Sequence, residues 1–179
     1  IGVVGFDQGA LTTSQPTADR AAAKAAVQRL RTAGGTSLAS AILGSLSAIT
    51  GTPVRIGEDG DLPDIGNWGS ATIVLISDGE DQGGSSGSDA MMAAATIAQN
   101  AGVHIEAVGV GTAEGATVEI DGYQLHTALD TEQLTAIAQA TGGHSHSASD
   151  AEQLDGVAST TALRLTVAKP DVPLAGGFI

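Results

Sequence analysis

The sequence predicts an α/β protein built around parallel strands, and three observations carry this prediction. The strongest is the order strand, helix, strand over residues 71–110. Two strands joined by a helix in about 40 residues form a βαβ unit, which requires parallel strands and a right-handed crossover. Apolar residues make up 42% of the 179 residues but aromatic residues only 2%, so we expect a core of Val, Ile, Leu and Ala. A chain of this length is expected to form one domain.

Two strands and a helix are predicted before that unit. Residues 1–6 form an apolar run rich in β-branched residues, which is typical of a buried strand, and residues 11–14 favour a short edge strand. A helix is then expected to open at Pro16-Thr17, with Asp19 in its first turn, because an acid stabilises the N-terminal end of a helix. Gly34-Gly35 is the predicted stop of this helix.

A second helix is predicted immediately afterwards. Apolar residues recur at steps of four, four and three, which places them on one face of a 3.6-residue period: Leu38, Ile42, Leu46 and Ile49. Gly51 is expected to end this helix. Residues 51–70 lack a period and contain many turn-forming residues, so they are predicted to be a long surface loop.

The predicted βαβ unit follows this loop. Residues 71–77 and 103–110 are its two strands, and a helix capped by Ser88 is expected to run between them to Asn100. Residues 115–129 then break the alternation, because two short β-rich runs flank Asp121-Gly122, the sequence of a hairpin turn.

The last predicted elements are two helices and a strand. Asp130-x-x-Gln133 resembles a capping box that begins a helix, residues 144–148 favour a short strand, and Ser149-x-x-Glu152 is a second capping box. The final helix is expected to reach Leu165. We therefore expect a domain over residues 1–165 and a linker or tail over residues 166–179.

Charge excludes one class of function. The net charge is −13, and residues 56–163 hold 17 of the 20 acidic residues and no Lys or Arg. Nucleic-acid binding needs clustered cations, so it is excluded, and cations or basic partners are favoured. Cysteine is absent, which excludes thiolate metal sites, and no apolar run is long enough to span a membrane.

Two oxygen-bearing residues occupy positions suited to a ligand. Asp78 directly follows the strand 71–77, and Thr36 lies in the Gly-rich segment Gly34-Gly-Thr-Ser37 at the start of the second helix. Ligands of open α/β sheets bind beyond the carboxyl ends of the strands. Because both side chains offer only oxygen, they favour Mg²⁺, Mn²⁺ or Ca²⁺.

Five segments in this order resemble a known family. They are the strand 1–6, the GTSLASAI segment over 35–42, Ser77-Asp78-Gly79-Glu80, the strand end 108–112 and Ala140-Thr-Gly-Gly143. They resemble successive blocks of a von Willebrand factor A domain, and specifically its bacterial branch, which includes membrane-anchored Bat-like proteins. The resemblance extends to about Leu165.

The resemblance implies a fold and a function. The fold is a doubly wound, mostly parallel sheet flanked by helices on both faces. The function is protein binding rather than catalysis, through a metal-ion-dependent adhesion site. Thr36 and Asp78 match two of its ligand positions, and a carboxylate of the protein partner completes the coordination of Mg²⁺, Mn²⁺ or Ca²⁺. The family also implies a membrane-anchored parent, with this domain as a soluble part on the extracytoplasmic face of a bacterial membrane.

One motif of the family is missing from this sequence. The DxSxS ligands that follow the family's first strand do not occur here, and that strand lies in the middle of the sheet. We therefore expect an N-terminally incomplete domain, preceded in the natural protein by roughly 35–45 residues that form a strand and a helix. Metal binding by this chain alone is expected to be weak or absent.

Three other interpretations were weighed. A hydrolase could use Ser85, because Gly83-Gly-Ser85-Ser-Gly87 matches GxSxG, together with one of the four histidines: His104, His126, His144 or His146. A metal-independent structural module is the second alternative. The third concerns His144-Ser-His146, whose alternation suits two metal nitrogens, but no third ligand is evident and an exposed pair on a strand is expected.

Overall fold

Helices and strands alternate along most of the chain, in a computed structural model that describes residues 1–30, 35–81, 84–111, 116–120, 123–127 and 129–147. For residues 12–13, 84–85, 116–120 and 123–127 only the backbone is described. The predicted final helix and the predicted tail lie outside these ranges. The elements are β1 (Val3–Phe6), β2 (Ala10–Ser14), α1 (Arg20–Gln28), α2 (Leu38–Thr50), β3 (Thr72–Ser77), α3 (Gly84–Asn100), β4 (His104–Gly109), β5 (Ala116–Ile120), β6 (Tyr123–Thr127), α4 (Thr131–Ala140) and β7 (Ser145–Ser147).

The predicted βαβ unit is confirmed. β3 and β4 pair in parallel, with Thr72 opposite His104 at one end and Ser77 opposite Gly109 at the other, and α3 connects them. β7 pairs in parallel with the other side of β4, so the strand order is β3-β4-β7. The chain is therefore an α/β protein with a parallel sheet, which agrees with a von Willebrand A or Rossmann-like architecture.

Two antiparallel hairpins accompany this sheet. β1 pairs with β2, and β5 pairs with β6, while the predicted turn residues Asp121 and Gly122 lie outside the described residues. Each hairpin forms a two-stranded sheet of its own among the described residues. β1 and β3 therefore belong to different sheets, although both contact α2.

The core lies on one face of the parallel sheet. Ile73 and Leu75 of β3 alternate with exposed residues, and they share a face with Ile105 and Ala107, their register partners on β4. Residues of three helices complete this aliphatic cluster, and among them Leu38, Ile42, Leu46, Ile97, Leu134 and Ile137 are at most 1% exposed. On the opposite face of β3, Val74 and Ile76 are 38% and 58% exposed.

Helix boundaries follow from their caps, and one prediction at α1 is wrong in detail. Asp19 is the residue before the helix rather than part of its first turn, because its Oδ1 accepts hydrogen bonds from the N–H groups of Ala21 and Ala22. α2 ends as predicted at Gly51, which adopts a left-handed conformation with φ of +74°. Within the described ranges, no helix combines the length and hydropathy needed to cross a membrane.

The predicted start of α3 is wrong. The helix begins at Gly84, so Ser88 lies inside it and is not its cap. Gly and Ser disfavour helix in isolation, which is why the sequence favours a loop here. The structure gives a reason for a glycine in this turn, because a Cβ atom on Gly87 would lie 2.7 Å from Oδ1 of Asp81. Close approach of α3 to Asp81 thus overrides the local preference.

Candidate functional site

The loops that follow β1 and β3 meet at the N-terminal end of α2. The N–H of Ser37 donates to the carbonyl oxygen of Asp7 at 2.8 Å, and the N–H of Leu38 donates to Oδ2 of Asp81 at 3.0 Å. The hydroxyl of Ser40 donates to the carbonyl oxygen of Gln8 at 3.2 Å. Backbone groups of the first turn of α2, which have no partner within the helix, therefore hold both loops.

The two predicted metal ligands lie in this region. Thr36 immediately precedes Ser37, the N-cap of α2, and is half-buried. Asp78 is the first residue after β3 and is also half-buried. We define the α2 site as the residues Asp7, Thr36, Asp78 and Asp81.

Asp78 is held in place by its neighbours. Its Oδ1 accepts the N–H of Glu80 at 3.3 Å, and its carbonyl oxygen accepts the N–H of Asp130 at 2.8 Å. Gly79 turns the chain with φ of +82°, and a Cβ atom there would lie 2.1 Å from the carbonyl oxygen of Asp130. Only glycine fits this turn, because both the left-handed conformation and the close approach exclude a side chain.

The start of α4 departs slightly from the predicted capping box. Oδ1 of Asp130 accepts the N–H groups of Glu132 and Gln133 at 3.0 and 3.3 Å, as expected of an N-cap. The side chain of Gln133, however, donates to Oδ2 of Asp130 at 3.2 Å. The backbone N–H of Asp130, which a capping box would satisfy from Gln133, is bound to Asp78 instead.

The side chains of the α2 site are of the chemical type that binds a hard cation. They are a hydroxyl and carboxylates, and no Lys or Arg occurs in residues 56–163 to compete for the carboxylates. As the side chains stand, no three imidazole or carboxylate groups of the described residues converge on one ion position. Ligation by Thr36 and Asp78 therefore stays a prediction.

The residues of the hydrolase alternative are distributed over several elements. Ser85 is the second residue of α3, whereas β3 already ends at Ser77. A nucleophile elbow requires the serine on the sharp turn between strand and helix. His104 begins β4 and His126 lies on β6, while His144 and His146 belong to the β7 region.

A second polar cluster on the parallel sheet joins His144 and His146, the histidine pair of the sequence analysis, to Glu106, which that analysis missed. Nε2 of His146 is 3.0 Å from Oε2 of Glu106, and Nδ1 of His144 is 3.5 Å from Oε1 of the same carboxylate. The backbone N–H of His144 also donates to Oε2 at 3.2 Å. We define Glu106, His144 and His146 as the β4–β7 cluster.

The carboxylate of Glu106 is the buried member of this cluster. Its side chain is 9% exposed, against 19% for His146 and 77% for His144. Burial alone raises the pKa of Glu106, but hydrogen bonds from His146 and His144 and the nearby His144 charge outweigh it, so this pKa is lowered. Glu106 is therefore ionised at neutral pH. One signal in the sequence could have identified Glu106: it is an acid inside an otherwise apolar strand, and a buried acid requires a polar partner.

Comparisons with known proteins support the fold. No protein-family model matches the sequence. A UPF0353 protein of Mycolicibacterium paratuberculosis is 33% identical over 148 residues, which cover 81% of this chain and 42% of that protein. This chain thus spans less than half the length of that curated relative.

Two solved structures from Bacteroides are similar in fold. They are the conserved hypothetical protein BatB of Bacteroides thetaiotaomicron and an aerotolerance-related membrane protein of Bacteroides fragilis. Each has a TM-score of 0.67 at 21% sequence identity; they cover 89% of this chain, and 76% and 77% of their own chains. The chain therefore has the α/β fold of Bat-type bacterial proteins.

Proposed function

We propose that this chain is a von Willebrand A-type binding module without enzymatic activity, which engages a protein partner through a divalent cation. Thr36 and Asp78 are ligands of the cation, and a carboxylate of the partner fills an open coordination position. Mg²⁺ is the proposed ion, with Mn²⁺ or Ca²⁺ as substitutes. The observation that carries this proposal is the meeting of the loops after β1 and β3 at the N-terminal end of α2.

The chemistry of the loops supports a cation at this place. Thr36 offers a neutral hydroxyl and Asp78 a carboxylate, and hard cations prefer such oxygen ligands. Asp81 adds negative charge on the loop after β3, and Asp7 adds it on the loop after β1. A cation that is only partly neutralised by its protein ligands still attracts an anionic group of a partner.

The remaining ligands are proposed to come from a DxSxS segment on a further strand of the parent protein. Two observations support a place for that strand. Among the described strands only β4 pairs with β3, and β1 and β3 both contact α2 without pairing with each other. On the sheet face away from the core, Ile76 of β3 is 58% exposed. A strand between β1 and β3 would pair with the edge of β3 opposite to β4, and the helix that follows this strand would cover the exposed face.

We further propose that the parent protein is anchored in a bacterial membrane and carries this domain on the extracytoplasmic side. One structural neighbour is described as a membrane protein, and the curated relative is more than twice the length that matches this chain.

The experiment is a titration of Mg²⁺ and Mn²⁺ into two proteins, this chain and the same chain preceded by the upstream part of its natural gene. We expect the longer protein to bind the ion more tightly, because it supplies the DxSxS ligands. Asp78→Ala should abolish binding, whereas Asp64→Ala should not, since Asp64 is exposed and only caps the N–H of Gly66.

Two outcomes would contradict the proposal. Equal binding by the Asp78→Ala and Asp64→Ala variants would show that the ion binds elsewhere. A longer protein that captures its partner equally well in excess chelator would be a metal-independent structural module. Hydrolysis of generic esters that is lost in Ser85→Ala would instead favour an enzyme.

A further inference from the structure

We propose that Glu106, His144 and His146 form a second cation site, which takes a zinc-type divalent ion through two imidazoles and one carboxylate. This inference is independent of the proposed function, because it uses different residues on a different part of the fold. It rests on the strand register, the distances within the cluster and the exposure of its three side chains.

Strand pairing places the three side chains on the same sheet face. Ala107 pairs with Ser145 and Val108 with His146, so Glu106 lies beside His144 at the start of this ladder. His144 and His146 are two residues apart, and side chains two apart on a strand point to the same face. This face is opposite to the one that carries Ile105 and Ala107.

Distances within the cluster match those between ligands of one ion. Zinc binds imidazole nitrogen and carboxylate oxygen at about 2.0–2.2 Å, so neighbouring ligand atoms of a tetrahedral ion lie about 3.4 Å apart. The two nitrogens of the cluster lie 3.0 and 3.5 Å from the carboxylate oxygens. The hydrogen bonds of the metal-free cluster thus already hold these atoms near ligand spacing.

Binding of one ion by all three groups requires the His144 side chain to rotate. The ring centroids of His144 and His146 are 6.3 Å apart and the rings are tilted by 49°. The two nitrogens therefore approach different oxygens and do not converge on one point, in agreement with the absence of a preformed triad among the described residues. His144, which is 77% exposed, can turn toward Glu106 and His146, which are largely buried.

The donor set determines the class of ion. Two imidazole nitrogens and one carboxylate suit Zn²⁺, and a water molecule would complete four-coordination. Mg²⁺ prefers oxygen and is disfavoured by this set. No Lys or Arg of residues 56–163 competes for the carboxylate.

The test is a titration of Zn²⁺ and of Co²⁺ into this chain, with Mg²⁺ as a competitor. We expect Zn²⁺ to raise the melting temperature, Co²⁺ to give the intense visible absorption of a tetrahedral site, and excess Mg²⁺ to displace neither. His144→Ala removes an exposed side chain without harm to folding and should weaken Zn²⁺ binding at least about tenfold, as should Glu106→Gln.

Two variants serve as controls. His104→Gln changes a histidine of the same strand whose Nδ1 instead contacts the carbonyl oxygen of Thr141 at 2.7 Å, so it should leave Zn²⁺ affinity within about twofold. Asp78→Ala should leave it unchanged as well, which separates this site from the α2 site. Zn²⁺ binding that is absent, or that is as strong in His144→Ala and His146→Ala as in the parent protein, would overturn the proposal.

Discussion

The α2 site and the β4–β7 cluster are built by opposite means. The α2 site gathers oxygen atoms from loops, which are held mainly by hydrogen bonds to the first turn of one helix. The β4–β7 cluster takes its side chains from two paired strands, whose register fixes where each side chain points. The difference teaches that groups close together in the chain are recognisable as short motifs, whereas a partner brought in by strand pairing, such as Glu106, leaves no continuous pattern in the sequence.

The largest effect is expected from a substitution that disrupts only the strand-built region, which holds the β4–β7 cluster. A Cβ atom on Gly143 would lie 2.1 Å from the carbonyl oxygen of Ile105, so Gly143→Ala must push β7 away from β4. We expect a loss of about 3 kcal/mol of stability and a fall of roughly 10 °C in melting temperature. Thermal unfolding followed by circular dichroism measures both.

A matched control for this variant is Gly51→Ala. Gly51 has φ of +74° but no atom within 4 Å of its Cβ position, so only the backbone conformation is strained, at about 1 kcal/mol. If both variants cost the same, close packing of β7 on β4 would not be what holds the cluster together.

The second-largest effect is expected from the pH dependence of stability, which tests the ionised carboxylate of the β4–β7 cluster. In the metal-free protein the pKa of Glu106 is lowered from its ordinary value of 4.5, so its carboxylate stabilises the fold above that value. This stabilisation is lost as the pH falls through the lower pKa of the folded state. Among the described residues, His144 just before β7 and His146 on β7 are the titratable groups that contact it, while the β3 partner of Glu106 is Val74.

Glu106→Gln should therefore destabilise the protein by about 2 kcal/mol at pH 7, and this difference should shrink as the pH falls below 4.5. Urea unfolding of both proteins over this pH range, with a chelator present, measures the difference. A difference that does not shrink below pH 4.5 would mean that the ionised carboxylate is not stabilised by its histidine partners.

The smallest effect concerns the loop-built region. Asp81→Ala leaves the N–H of Leu38 without its carboxylate acceptor and should cost about 1 kcal/mol. Amide hydrogen exchange at Leu38 should accelerate, while exchange in β4 stays unchanged. Asp64→Ala, in an exposed loop, is expected to remain within about 0.5 kcal/mol of the parent protein. Unchanged exchange at Leu38 would show that Asp81 does not secure the loop.

Local signals were sufficient for much of the fold. The strands of the βαβ unit, the apolar face of α2 and the pairing of β5 with β6 could be predicted because period and turn chemistry act over a few residues. The start of α3 could not, because a Gly- and Ser-rich segment becomes helical only where it packs beside Asp81.

The α2 site and the β4–β7 cluster also differ in how far the sequence predicts them. Thr36 and Asp78 were named from short motifs, and the structure brings the loops that bear them to one helix end, although their role as ligands stays a prediction. Glu106 was missed because its partners lie 38 and 40 residues later in the chain. Only the register of β7 against β4 shows that they meet.

α4 gives these two regions a mechanical connection. Its first residue follows Asp130, whose N–H is bound to the peptide of Asp78, and its C-terminal end leads through Gly142 and Gly143 into β7. Ten helical residues form a stiff rod of about 15 Å. Leu134 and Ile137 anchor α4 in the core. A shift of the Asp78 peptide, which is hydrogen-bonded to Asp130, would therefore act on the whole helix rather than on one loop.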